Sequence, residues 1–375
     1  MRIGILTLPL HTNYGGILQA YALQTVLKRM GHEVVVISRN FNLKNLPLWK
    51  IPLSITKRFI RKFLFCQNVD IFFEYHQNKT YKKISQHTQK FINQYIHTLT
   101  VNKLEELNEK DFDCIIVGSD QVWRKKYFTY HYATTIDNAY LAFAKDWNVK
   151  KMAYAASFGT EDWEYNEEDT KKCKRLIKLF LSVSVREDSG VKLCKEKYGI
   201  EAIQLLDPTL LLKKEDYINL FKDKAQPSPG NLMVYILDEN QETDRILSEV
   251  IKQTNLRPFR TVAKRDSQTD ILEESIQPPL ESWLRGFYDA EFIVTDSFHA
   301  CVFSIIFNKP FIVIGNESRG MARFSSFLKQ FDLEDHLITT LEENVPILNL
   351  KKPNVQQQIL ALQDLSFSYL KNSLE

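Results

Sequence analysis

The chain has 375 residues, of which 44% are hydrophobic and 25% are charged, and its formal net charge is +3 at pH 7. This length predicts two domains, and the small charge without a basic recognition element argues against binding to nucleic acid. The five cysteines form no paired motif, so we expect reduced thiols, and no spacing in the sequence indicates a metal site.

The chain begins with the pattern of a βαβ unit. Residues 3–8 predict a strand, apolar spacing predicts a helix over residues 17–30, and residues 33–38 predict the next strand. The helix follows a predicted glycine loop formed by Asn13, Tyr14, Gly15 and Gly16. Free N–H groups at a helix start attract anions, although such turns often serve packing alone. The loop lacks the spacing of a dinucleotide-binding fingerprint, so we do not expect NAD.

The N-terminal run is too short for a signal peptide, and no run reaches the length of a membrane helix. We therefore expect a cytoplasmic protein. Residues 40–108 are less regular and are predicted to be a variable insertion that contains the basic and aromatic stretch 57–65. Such a stretch can bind the inner face of an anionic membrane, but it is more often a helix with a solvated basic edge.

Several apolar runs of the sequence are followed directly by clusters of polar residues. Strands are predicted at residues 114–117, 152–156, 182–185 and 204–206, and polar residues follow each of them. A parallel sheet with one functional edge has this pattern. Arg186 follows one of these strands, where an arginine can bind a phosphate or carboxylate in a bidentate manner or pair with Glu187 or Asp188.

Residues 225–231 are rich in proline and predict a linker between two α/β blocks. Strands are predicted at 232–237, 259–262, 292–295 and 312–314, with helices near 244–253, 282–290 and 355–374. We predict an N-terminal domain over residues 1–224, a C-terminal domain over 232–350 and a final helix in 351–375. The predicted fold is two doubly wound, Rossmann-like α/β domains facing a cleft.

His299 lies just after the predicted strand 292–295, in the turn that opens an apolar helix. Ligands collect at this position in open α/β sheets, and a histidine can donate a proton near neutral pH. The alternative is that His299 only caps the helix. Arg319 and Arg323 follow the next strand, where a basic rim suits a substrate with several negative charges, although Arg323 could instead cap the following helix.

Six segments together resemble the polysaccharide pyruvyl transferase family. They are residues 13–21 (NYGGILQAY), 117–123 (VGSDQVW), 154–159 (YAASFG), 185–188 (VRED), 207–210 (DPTL) and 295–300 (TDSFHA). They occur in the family's order and span roughly residues 1–330. The resemblance implies a fold like that of two-domain GT-B glycosyltransferases. It also implies transfer of the pyruvyl unit of phosphoenolpyruvate onto two hydroxyls of a sugar, which gives a cyclic ketal and releases phosphate without a further cofactor.

The family's donor-site arginine and histidine correspond to Arg186 and His299. Many members also carry an arginine two residues before the histidine, where this chain has Ser297. Either Arg319 or Arg323 replaces it, or the subgroup handles the donor differently. The expected donor-binding residues are therefore Arg186, Ser297, His299, Arg319 and Arg323. His299 would protonate the methylene carbon, and Asp296 would orient the imidazole or accept a hydroxyl proton.

The acceptor side is expected in the N-terminal domain, because polar groups beside an indole face suit a sugar ring. The expected acceptor residues are Asn13, Tyr14, Gly15, Gly16, Ser119, Asp120, Gln121 and Trp123, with plain packing as the alternative for Trp123. The sequence does not separate a lipid-linked from a nucleotide-linked acceptor. Two other functions stay open. They are a GT-B glycosyltransferase with a nucleotide-sugar donor and, because of Ser297, a non-catalytic sugar-binding protein.

Overall fold

The structure is a computed structural model that describes residues 1–39, 51–63, 73–264, 272–315, 321–339 and 352–375. The strands in these residues are β1 (Arg2–Leu6), β2 (Glu33–Arg39), β3 (Thr98–Val101), β4 (Cys114–Val117), β5 (Lys150–Ala156), β6 (Ser182–Val185), β7 (Ile203–Gln204), β8 (Leu232–Tyr235), β9 (Pro258–Arg260), β10 (Phe292–Thr295), β11 (Phe311–Ile314) and β12 (Leu337–Ile338). The helices are α1 (Tyr14–Arg29), α2 (Ile51–Phe63), α3 (Phe73–Ile84), α4 (Gln86–Tyr95), α5 (Lys125–Tyr132), α6 (Glu167–Ile177), α7 (Asp188–Leu193), α8 (Lys214–Phe221), α9 (Gln241–Thr254), α10 (Leu272–Ser275), α11 (Leu280–Asp289), α12 (Phe298–Ile306), α13 (Met321–Lys329) and α14 (Gln356–Leu374).

The first sheet has seven parallel strands in the order β3-β2-β1-β4-β5-β6-β7. Its central strands are apolar on both faces because helices cover both sides, and all four residues of β4 are buried. The strand order reverses between β1 and β4, so the loops after these two strands diverge and leave a crevice. The first turn of α1 lies at this crevice, since α1 begins directly after the loop that follows β1.

The start of α1 corrects the predicted glycine loop. The helix begins at Tyr14, with Asn13 at its N-cap, so Gly15 and Gly16 are helical. Apolar periodicity does not reveal this first turn, because glycine contributes no apolar side chain to the pattern.

The second sheet has five parallel strands in the order β12-β11-β10-β8-β9. Here the order reverses between β8 and β10, so the start of α12 lies at the switch point of this sheet. The two sheets confirm the predicted pair of Rossmann-like α/β units.

Helix α14 returns from the second sheet to the first. The Tyr369 hydroxyl donates to the carbonyl oxygen of Ala153 on β5 over 2.7 Å, and the hydroxyls of Ser182 and Ser373 are 2.7 Å apart. Residues 225–231, which contain no helix or strand, also join the two units. Within the described parts of the chain, no helix combines the length and the apolar character needed to cross a membrane.

Candidate active site

Three charged or titratable side chains, from residues that follow strands of both sheets, meet next to the first turn of α1. Arg186 follows β6, Asp207 follows β7, and His299 is the second residue of α12. Nη1 of Arg186 donates to Oδ2 of Asp207 over 2.9 Å, and Nε2 of His299 lies 3.5 Å from the same oxygen. The three residues are between 1% and 6% exposed, so the charges of Arg186 and Asp207 interact with little screening by water.

The Asp207 carboxylate is held by further hydrogen bonds. Its Oδ1 accepts from the backbone N–H and the hydroxyl of Thr209, and its Oδ2 accepts from the hydroxyl of Ser119 over 3.2 Å. Burial acts to raise the pKa of Asp207, but His299, Arg186 and Thr209 together outweigh burial and hold that pKa well below its usual range. Asp207 is therefore a fixed negative charge between Arg186 and His299.

A second buried arginine joins this group through the ring of Phe298. The guanidinium carbon of Arg186 lies 4.4 Å from the centre of this ring, and that of Arg323, on α13, lies 5.5 Å from it. Burial and then the charge of Arg186 lower the pKa of Arg323 to about 10. We call the two cations Arg186 and Arg323, together with the imidazole of His299 beside them, the cation cluster.

The cation cluster has hydrogen-bonding capacity left over. Within the described residues, Nε and Nη2 of Arg186 and Nε2 of His299 are buried without a hydrogen-bond partner. Unsatisfied buried donors are costly, and they are common where a ligand supplies the missing acceptor. Two guanidinium groups beside such donors can bind an anion that carries more than one charge.

The first turn of α1, which belongs to the first sheet, packs on the imidazole of His299, which follows a strand of the second sheet. A Cβ atom on Gly15 would lie 2.1 Å from Nδ1 of His299, so glycine at this position allows helix and imidazole to pack together. The hydroxyl of Tyr14 donates to the carbonyl oxygen of Pro278 over 2.5 Å, and its ring packs against Trp283 at 5.4 Å. Tyr14 is fully buried, and it joins the two units.

The residues that follow β4 have different surroundings. Ser119 is buried and donates its hydroxyl to Asp207, whereas Asp120 and Gln121 line a cavity. Trp123 is fully buried, stacks on Tyr140 at 5.0 Å and donates its indole N–H to the Ala139 carbonyl oxygen. It therefore has no exposed face for a sugar ring, and its surroundings are those of the packing alternative.

The residues that were predicted to act with His299 do not all lie beside it. Both oxygens of Asp296 accept backbone N–H groups after β8, from Leu237 at 2.7 Å and Asp238 at 2.9 Å, whereas the carboxylate beside His299 belongs to Asp207. Ser297 is the N-cap of α12. Arg319 lies outside the described residues.

Two cavities flank the first turn of α1, and Asn13 lines both. One of about 840 Å³ lies at the ends of β8 and β9 and includes Tyr235, Arg260 and Lys264 in its wall. The other, of about 200 Å³, lies in the crevice between β1 and β4. Neither is lined by Arg186 or His299, and the first turn of α1 packs on the His299 imidazole between them.

The sequence predicts no role for several residues of this region, namely His11, Arg124, His131 and Asp207. Glu187 is predicted as an alternative partner of Arg186, but the carboxylate that pairs with Arg186 is that of Asp207, whereas Glu187 accepts from the Ser157 hydroxyl and the Phe158 N–H. Asp207 had a signal, since it follows a predicted strand and opens one of the six segments that resemble a family. The histidines had none, because they lie far apart in the sequence and meet only in the fold.

Comparisons with known proteins give one family and a set of solved structures. A family model for polysaccharide pyruvyl transferases matches residues 13–318. Among solved structures, the chain is similar to UDP-GlcNAc 2-epimerase from Neisseria meningitidis bound to UDP-GlcNAc (11% identity, 100% of this chain and 93% of that chain, TM-score 0.46). It is also similar to a glycosyltransferase from Rickettsia africae ESF-5 (10% identity, 100% of this chain and 98% of that chain, TM-score 0.48). A search of curated sequences finds no match.

Proposed function

The chain belongs to the polysaccharide pyruvyl transferase family, and we propose that it transfers the pyruvyl group of phosphoenolpyruvate to a sugar of a polysaccharide or its precursor. The product is a cyclic ketal, and phosphate is released. The observation that carries the proposal is the cation cluster, in which buried N–H donors of Arg186 beside His299 have no acceptor among the residues that the structure describes. Phosphoenolpyruvate carries its carboxylate and its phosphate on the same central carbon, and these two anionic groups need two cationic groups close together.

Arg186 is the proposed carboxylate ligand, since its Nε and Nη2 form one edge that is suited to two parallel hydrogen bonds and has no partner in the described part of the chain. Arg323 is the proposed phosphate ligand and takes the place of the family arginine missing at Ser297. Its support is that it reaches the ring of Phe298, the residue next to Ser297. A bound anion would also relieve the repulsion between Arg323 and Arg186. Arg319 stays a prediction.

His299 is the proposed general acid. Protonation of the methylene carbon turns it into a methyl group and makes the central carbon electrophilic, so that a sugar hydroxyl can attack it. Asp207 positions the imidazole through its charge near Nε2. Asp296 is given a positioning role for the loop after β8, because both its oxygens accept backbone N–H groups there.

The donor site is closed in this structure, so donor binding requires movement. His299 and Arg186 are each at least nine-tenths buried, and Gly15 packs directly on the imidazole. We expect the first turn of α1 to separate from α12 when phosphoenolpyruvate enters, because this contact lies between the two sheets.

Titration of phosphoenolpyruvate into the purified protein, followed by isothermal calorimetry, tests the proposal. Arg186→Lys keeps the charge beside Asp207 but loses the bidentate edge, and we expect its affinity to fall about tenfold or more. Arg285→Lys is the matched control, since Arg285 pairs with Asp289 on α11. Its affinity should equal that of the wild type.

A panel of nucleotide sugars is titrated in parallel, alone and with phosphoenolpyruvate. Binding of a nucleotide sugar with no response to phosphoenolpyruvate in either condition would replace the proposal with a glycosyltransferase. Equal affinity of Arg186→Lys and the wild type for phosphoenolpyruvate would remove Arg186 from the donor site.

A further inference from the structure

The smaller cavity lies where ligands bind in open parallel sheets. It occupies the crevice at the ends of β1 and β4, where the strand order of the first sheet reverses. Its volume of about 200 Å³ suits a single sugar ring. The polar side chains in its wall are His11, Asn13, Asp120, Gln121, Tyr127 and His131. This wall offers hydroxyl, amide, carboxylate and imidazole groups, which are the partners that sugar hydroxyls use.

Asp120 has a backbone conformation that non-glycine residues rarely adopt. Its φ is +73°, and hydrogen bonds fix it there, since its carbonyl oxygen accepts from the N–H groups of Val122 and Ser157. Its Oδ1 accepts from the N–H of Gln121 over 2.9 Å. Such strain persists where a side chain must be held in a particular place, and it concentrates at functional sites.

The second oxygen of Asp120 points toward the first turn of α1. A Cβ atom on Gly16 would lie 3.3 Å from Oδ2, and within the described residues this oxygen has no hydrogen bond. The neighbouring Gly15 packs on His299 in the same way. Burial and then Arg186 lower the pKa of Arg323, and the carboxylates of Glu187 and Asp120 oppose this shift, so Asp120 lies within electrostatic range of the cation cluster. Asp120 therefore lies between this cavity and the donor site.

The other buried carboxylates near the cation cluster do not line this cavity. Asp207 accepts from Arg186 and Thr209, and both oxygens of Asp296 accept backbone N–H groups. Oε1 of Glu187 accepts three hydrogen bonds, and its Oε2 is buried away from the cavity. Asp120 differs from them because it combines a cavity position with an uncommitted oxygen.

Two histidines complete the wall opposite this carboxylate. The rings of His11 and His131 stack with centres 5.4 Å apart. Burial, and then the neighbouring His131, lower the pKa of His11 to about 4, and burial lowers the pKa of His131 as well, although Asp120 opposes both shifts. Both imidazoles are therefore neutral near pH 7 and can exchange hydrogen bonds with an uncharged ligand.

We infer that this cavity binds one sugar ring of the acceptor and that Asp120 is the catalytic base for its attacking hydroxyl, an inference that rests on the proposed function. After His299 protonates the methylene carbon, the sugar oxygen bonds to the central carbon and its proton passes to Oδ2 of Asp120. The carbon–oxygen bond to phosphate then breaks, and the phosphate leaves with that proton. A second hydroxyl of the sugar closes the ketal, and its proton restores His299.

The test uses methyl glycosides of hexoses and N-acetylhexosamines as acceptor probes for the full chain. Binding in the presence of phosphoenolpyruvate is followed by saturation-transfer NMR, and turnover is followed by phosphate release. Asp120→Asn keeps the shape of the side chain and tolerates a positive φ. We expect its kcat to fall about 100-fold or more while glycoside binding persists.

His11→Phe removes the ring nitrogens but keeps the stacking partner of His131, and we expect it to lose about tenfold or more in glycoside affinity while affinity for phosphoenolpyruvate is kept. His32→Phe, just beyond the opposite end of α1, is the matched control and should behave as the wild type.

Each other outcome has a defined meaning. Wild-type turnover in Asp120→Asn, or wild-type glycoside affinity in His11→Phe, overturns the inference. So does a wild-type protein that binds phosphoenolpyruvate but neither binds nor turns over any glycoside. A wild-type protein that does not bind phosphoenolpyruvate with or without a glycoside refutes the proposed function instead.

Discussion

The contact between Gly15 and His299 gives the sharpest prediction for the assembly of this site. A methyl group on residue 15 would lie 2.1 Å from Nδ1, 2.2 Å from Cγ and 2.7 Å from Cβ of His299. To reach an ordinary contact, the imidazole or the helix must move by about 1 Å or more. Overpacking of this kind costs about 1–3 kcal/mol of folding free energy, and an active-site displacement of about 1 Å costs about 100-fold in turnover.

A double-mutant cycle isolates this contact from other effects. The partner change must be His299→Gly, because alanine would keep the Cβ atom that lies 2.7 Å from the added methyl. We expect Gly15→Ala to destabilise the wild type by about 1–3 kcal/mol. In the His299→Gly background we expect it to be neutral or to stabilise by up to about 1 kcal/mol, since alanine favours the helix.

The free energy of unfolding in urea, followed by tryptophan fluorescence, measures all four proteins of the cycle. Gly286→Ala is the control, because its Cβ would meet the flexible end of Met233 at 3.1 Å and should cost the same in both backgrounds. If Gly15→Ala destabilised the wild type and the His299→Gly variant equally, the packing of α1 on α12 would be refuted.

Three further predictions concern the surroundings of the site. Tyr14→Phe leaves the Pro278 carbonyl without its donor and should cost about 1–3 kcal/mol in calorimetric unfolding; an unchanged unfolding temperature would contradict this link between the two units. Trp123→Phe should cost about 1–3 kcal/mol without weakening glycoside binding, and the reverse pattern would restore an acceptor role for Trp123. Because burial lowers the pKa of His11 to about 4, the unfolded chain binds this proton more readily between about pH 6.5 and pH 4. The free energy of unfolding should therefore decrease by up to about 3 kcal/mol, less for a partly exposed ring, as the pH is lowered from about 6.5 to 4. Unfolding measured at both ends of this pH range should show a smaller decrease in His11→Gln.

The strands at the centre of both sheets lie where the apolar runs of the sequence predict them. The predicted strands 114–117, 182–185 and 292–295 coincide with β4, β6 and β10. These are continuous apolar runs ended by polar residues, and a strand covered on both faces produces this pattern wherever it lies in the sheet. The carboxyl ends of these strands also gave the positions of Asp120, Arg186 and His299, since parallel strands direct the loops that follow them to one edge.

The partners of those side chains could not be predicted in the same way. Asp296 is three residues from His299 in the sequence, but its carboxylate bonds to the loop after β8. Asp207, which is far away in the sequence, lies beside His299 instead. Backbone N–H groups that lack a partner attract the nearest carboxylate, and which groups lack one depends on how the strands are paired.

The order of the residues is enough to predict the alternation of strands and helices, the parallel sheets and the edge that carries the candidate site. These features follow from local apolar patterns and from the handedness of the chain. Only the folded chain shows that Trp123 is core, that Gly15 packs on His299 and that His11 and His131 share a cavity wall. Such contacts join residues from distant segments, so they are set by the packing of the two sheets and their helices, which no local pattern encodes.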